Sequence, residues 1–168
     1  MKFINLLTIA CGSFLLLSCE PENFGPVIKE TTDNNIAALS GTWKITSAKQ
    51  TDEEASLKNS PYVSSIITND FPYTEFQLSL ESQGGLPTGF ATTPGNAPRV
   101  IPFASGKWEV DNPEAPSQVA FINGTDTMRA VLGAYPSAFR SSFILKIPRV
   151  NAESGKTTMM YEYQFTKQ

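Results

Sequence analysis

The sequence predicts an all-β protein: one antiparallel barrel of about eight strands, with a β-sandwich as the alternative fold. Three observations carry this. Apolar and polar residues alternate with period two in several segments, which is the pattern of strands with one buried and one wet face. Twelve prolines and eleven glycines among 168 residues break the chain often, which favours short strands and turns over long helices. The length suits a single core, and closure would remove the exposed edges of such a sheet.

The first segment stands apart from that pattern. Lys2 precedes a fifteen-residue apolar stretch, Phe3 to Leu17, too short for a bilayer span of about 20 residues and suited to a signal-peptide core. It ends in Leu16-Leu17-Ser18-Cys19, which resembles a bacterial lipobox. The resemblance implies a signal peptide over residues 1–18, cleavage before Cys19, and lipidation of Cys19 as a membrane anchor. Cys11 would leave with the signal, so the mature chain would have neither a disulfide nor a free thiol. Glu20-Pro21-Glu22-Asn23 follows the cysteine directly. Acidic residues there resemble an export signal to the outer face of the outer membrane, the periplasmic face being the alternative. Residues 19–35 show little apolar periodicity and read as a flexible linker, leaving 36–168 as the domain.

Within the domain, Gly41-Thr42-Trp43-Lys44-Ile45 opens the first strand, with Trp43, Ile45 and Ser47 inward and Lys44 and Thr46 outward. Asp52 to Lys58 suggests a helical turn, and Tyr62 to Asn69 a strand or short helix. Tyr73 to Glu81 places Phe76, Leu78 and Leu80 on one face. Ser82 to Ser105 holds four glycines and four prolines, which excludes a helix and allows at most a short strand near Thr88 to Thr93. Its Phe90, Val100, Ile101 and Phe103 are too apolar for a purely solvated excursion. Such a loop would be a flap over the barrel mouth or a plug in it.

Gly106-Lys107-Trp108-Glu109-Val110 repeats the glycine-x-tryptophan pattern with Trp108 inward. Ser117 to Ile122 and Thr127 to Ala134 are shorter strands joined by a turn at Asn123-Gly124-Thr125-Asp126. Phe139, Ser141, Phe143, Leu145 and Ile147 alternate with Arg140, Ser142, Ile144 and Lys146, and Met159, Tyr161, Tyr163 and Phe165 with Met160, Glu162 and Gln164. The breaker-rich segment Asn151 to Lys156 makes these two runs a hairpin.

Leu39-Ser40-Gly41-Thr42-Trp43, its echo at Gly106 and Trp108, and the closing Tyr161-Glu162-Tyr163-Gln164-Phe165 resemble the lipocalin-like lipoproteins of Bacteroidetes, a family of unknown function with a calycin-type barrel. The resemblance implies a barrel whose floor is closed by Trp43, with Gly41 and Gly106 in structural roles.

The chemistry is narrow. Histidine is absent, which removes imidazole catalysis and imidazole metal ligands. The formal charge of −3 argues against a nucleic-acid partner. Glu153-Ser154-Gly155-Lys156-Thr157 lacks the first glycine of a phosphate-binding loop, since position 150 is Val150. Glu109 with Asp111, and Glu53 with Glu54, read as solvated charges rather than a catalytic pair. No cofactor or metal is expected, nor an enzyme. The expected function is binding: a small apolar or amphipathic ligand lined by Phe76, Leu78, Trp108, Phe143, Leu145, Tyr161 and Tyr163, with Phe90, Ile101 and Phe103 from the loop. The alternative is a glycan or protein partner held by loop aromatics, Tyr62, Phe71, Tyr73, Phe90 and Tyr135.

Overall fold

A computed structural model describes residues 33–61, 63–133 and 139–168. The signal segment, Cys19, most of the linker, Tyr62 and Tyr135 lie outside the described residues. A short helix, α1 (Asp33–Leu39), precedes β1 (Gly41–Asp52) and β2 (Ser64–Ile66). A 3-10 turn at Tyr73–Glu75 leads into β3 (Gln77–Gln83) and β4 (Leu86–Thr93). Then come β5 (Ser105–Val110), β6 (Gln118–Asn123), β7 (Asp126–Leu132), β8 (Ser142–Val150) and β9 (Thr157–Lys167).

Each strand from β3 to β9 pairs antiparallel with the next, and β1 pairs with both β3 and β9. The β1–β9 ladder, from Trp43 opposite Lys167 to Asp52 opposite Met159, closes the sheet into an eight-stranded barrel. Closure decides between barrel and sandwich. The short β2 is an addition, laid along Lys49 to Thr51 of β1.

The alternating strands place their large side chains as their periodicity predicts. Trp43, Phe76, Leu78, Trp108, Phe143, Leu145 and Phe165 are all buried in one continuous core. Phe143 meets Trp43 edge-on at 4.8 Å and stacks on Phe165 at 5.0 Å, while Phe90 meets Phe121 edge-on. Such pairs add directional preference to area burial.

The helix α1 begins at Asp33, and the buried Asn35 donates to the Glu114 carbonyl at 2.6 Å. Two expectations need correction. In β1 a bulge shifts the register between Ile45 and Ser47, so Ala48 is buried and Ser47 only partly so. One extra residue in a strand flips the face of everything beyond it. The segment 82–105 is not one long loop. Gly84 and Gly85 (φ 60° and 77°) make a two-residue turn between β3 and a full strand β4, the backbone that tight hairpins require. Pro87 is tolerated there because it faces Ser82, just past a register shift in β3. Only residues 94–104 remain as loop.

Chain direction defines two ends. The floor carries α1, the β3–β4 turn and the β5–β6 connection. The rim carries the excursion between β1 and β3, the 94–104 loop, the β6–β7 turn and the β8–β9 hairpin. At the floor, Asp111 closes the β5–β6 connection, accepting from Ser117 N and Gln118 N at 2.9 Å and from the Ser117 hydroxyl. Partial burial opposes its charge, but these donors outweigh it and hold the carboxyl down at about 2. A carboxyl with a depressed folded pKa stabilises above its unfolded value, here 3.8, and that stabilisation fades as pH falls towards 2. Asp111→Asn is therefore expected to lose about 1 kcal/mol at pH 7, a modest figure because the site is exposed. Urea midpoints of the two proteins should converge as the pH is lowered from 5 to 2.

Candidate functional site

The interior comes first, because seven predicted ligand-lining residues point there. Phe76, Leu78, Trp108, Phe143 and Leu145 pack against one another with at most 2% exposure. Trp108 satisfies its indole N–H on the Glu81 carbonyl at 2.7 Å. The space enclosed by Leu39, Leu80, Trp108, Val119, Phe121, Leu132, Phe143 and Leu145 is about 10 Å³. That is room for roughly one water, and an apolar lining keeps such a space dry. Among the described residues these side chains form a core and leave no ligand-sized chamber at its centre.

Tyr161 and Tyr163 lie towards the rim, where β9 approaches its hairpin. Their rings are nearly parallel at 6.4 Å. The 3-10 turn lowers Tyr73 beside them, with its ring 5.7 Å from Tyr163. Burial pushes both hydroxyls above the ordinary tyrosine range, most strongly at Tyr163, with the neighbouring phenols adding to it. Both are neutral phenols at physiological pH.

The 94–104 loop completes the seal. Ala97, Val100 and Ile101 belong to the core, and Phe103 packs against it half-buried. The loop is a plug rather than a flap. Phe90 belongs to β4 and is buried.

What remains for recognition is the outer surface of the rim. Of the predicted loop aromatics, Tyr73 and Phe90 are buried and drop out, whereas Phe71 is 56% exposed. Leu57, Val63 and Ile66 on the same excursion are exposed as well. Phe71 forms one wall of a shallow cleft of about 380 Å³, shared with Thr68, Asn69, Asp70, Pro72 and Thr74.

The backbone there is tightly tied. Asp70 N bonds to Ile67 O at 3.1 Å, Tyr73 N to Phe71 O at 2.7 Å and Glu75 N to Pro72 O at 3.0 Å. Thr68 Oγ1 accepts from Ala48 N at 2.9 Å, which pins the cleft to β1. The Phe71 ring rests edge-on against Tyr73 at 5.9 Å. A large apolar ring is thus held in water on a fixed backbone. Sequence reasoning found Phe71 but missed Asn69, Asp70 and Thr74. Their signal was the run Thr68-Asn69-Asp70-Phe71-Pro72-Tyr73-Thr74, an aromatic set among turn formers.

Several of the remaining chemical candidates have structural partners. Asp111 is engaged by Ser117, and Glu54 pairs with Lys58 at 3.4 Å. Ser154 and Gly155 belong to the β8–β9 hairpin, where Asn151 Oδ1 accepts from Glu153 N and Ser154 N. Among the described residues no group of three or more acidic, cysteine or histidine side chains could hold a metal ion.

The fold therefore defines the chain as a closed antiparallel eight-stranded barrel with one appended strand and, among the described residues, an apolar packed centre. Comparison with known proteins finds no matching family model and no matching curated protein.

Proposed function

We propose that this protein is a non-catalytic binding module of lipocalin-like build, anchored through lipid at Cys19 to the outer membrane and facing the cell exterior. It recognises its partner on the rim rather than inside the barrel. The observation that carries this reading is the packed centre, with about 10 Å³ of space among its described side chains, while Phe71 at the rim is 56% exposed on a hydrogen-bonded turn. The anchor reading rests on Leu16-Leu17-Ser18-Cys19 and the acidic pair that follows. The chain enters the domain at the floor through α1, so the cleft lies at the opposite end from the tether.

A small apolar ligand inside the barrel would have to displace buried side chains of the core cluster, each large one costing a few kcal/mol to uncover. Two measurements test the rim reading. Native mass spectrometry after incubation with a lipid and bile-acid extract is expected to show only the unliganded protein. A discrete stoichiometric adduct would restore the carrier reading. Amide shift mapping of the 15N-labelled protein against a panel of oligosaccharides and peptides is expected to move residues 68–74. A panel that leaves these amides unmoved would defeat the rim site.

A further inference from the structure

We propose that the cleft beside Phe71 is a subsite for a neutral pyranose ring. The inference rests on the rim reading above and adds the chemical class of the ligand. A sugar ring presents an apolar C–H face and a periphery of hydroxyls, so its site needs one exposed flat apolar surface flanked by unspent donors and acceptors. Phe71 and Pro72 supply the apolar surface. The side chains of Asn69, Asp70 and Thr74 supply an amide, a carboxylate and a hydroxyl, and none of the three is hydrogen bonded to another described residue. Thr68 is excluded from that set because its hydroxyl is committed to the Ala48 backbone.

Two competing ligand classes fit less well. A peptide anchor would want a deep, desolvated pocket ringed by apolar contacts. This cleft is shallow and four of its six lining side chains are polar. An anionic ligand would meet Asp70, the only charged group among the described residues lining the cleft, with the wrong sign. The pre-formed turn also matters. With the backbone tied and the ring braced on Tyr73, little conformational entropy remains to be lost on binding, which suits a ligand as weakly held as a single sugar ring.

The test is amide shift mapping of the 15N-labelled protein against maltoheptaose, cellohexaose and xylohexaose, with a galacturonate oligomer as charged control. At least one neutral oligomer is expected to shift residues 68–74 at millimolar concentration, and the galacturonate oligomer to leave them unmoved. Phe71→Ala should weaken that binding about tenfold or more, the loss of a hot-spot contact. Asp70→Asn should weaken it several-fold. Both side chains are exposed, so the rest of each variant's spectrum should match the wild type and report intact folding. Binding undiminished by Phe71→Ala, or shifts that cluster elsewhere, would overturn the assignment. Failure of all three neutral oligomers would overturn it too. If a peptide moves the same amides while the sugars do not, the rim site stands and only its ligand class falls. If nothing moves them, both fall together.

Discussion

Trp43→Ala is expected to destabilise the fold by about 4 kcal/mol, the middle of the range for removing a buried aromatic. Three separate contacts end at this side chain. Its ring is completely buried and meets Phe143 edge-on at 4.8 Å. Its indole N–H donates to the Leu39 carbonyl at 2.7 Å, satisfying one of the orphan acceptors at the end of α1. The Lys167 ammonium sits 5.1 Å from the ring centroid while donating to the Ala38 carbonyl at 2.9 Å. The indole therefore joins the helix, the first strand and the last strand, which is how the floor is closed. Trp43→Phe separates the terms. It keeps most of the apolar volume and removes the N–H donor, so it should cost about 1–2 kcal/mol, the penalty of leaving a buried carbonyl unpaired. Guanidinium unfolding followed by circular dichroism would read both. If alanine costs less than phenylalanine is expected to cost, the floor is held by something other than this side chain.

The sequence made Trp43 legible because a buried strand face repeats every second residue, and a tryptophan on that face has few other places to go. The same rule located β8 and β9, whose inward Phe143, Leu145, Tyr163 and Phe165 are all buried. It failed where one residue changes the phase. The bulge between Ile45 and Ser47 exchanges Ser47 for Ala48 on the inner face, and nothing in Thr46 announces it. It was incomplete at β4, where it allowed only a short strand near Thr88 to Thr93 because Pro87 and Gly89 read as breakers. The breaker rule describes isolated strands; in the barrel, β4 is held between β3 and β5. The candidate site was harder still. Whether Phe71 or Tyr73 faces water depends on a 3-10 turn that sends Tyr73 onto Tyr163 and leaves its neighbour outside. Two aromatics two positions apart look equivalent in the sequence. Only the partner supplied by β9 distinguishes them, and that contact spans about half the chain.

Gly106→Ala is the second large effect, and it tests the barrel wall rather than its floor. Gly106 pairs with Phe90 across the β4–β5 ladder. A methyl group built on it would lie 2.1 Å from the Ile122 carbonyl oxygen and 2.9 Å from Cε1 of Phe90. A phenyl ring can tilt, but the carbonyl belongs to the backbone of β6 and moves only if the β5–β6 ladder opens. Overpacking of this kind costs about 1–3 kcal/mol where side chains alone must adjust; with backbone in the way, about 3 kcal/mol is the expected loss. Gly124→Ala is the control. Gly124 has φ +59° and nothing within 4 Å of an added methyl group, so its cost is conformational only, about 1 kcal/mol. Gly106 is not in the left-handed region, so its loss reports contact, whereas the loss at Gly124 reports backbone preference. Tryptophan fluorescence adds a local readout. Trp108 is two residues along β5, with its indole tied to the Glu81 carbonyl, and should change its emission in Gly106→Ala but not in Gly124→Ala. Equal losses in the two variants would show that β5 and β6 are not in the close register that fills the barrel, and the argument against an interior ligand would fall with it.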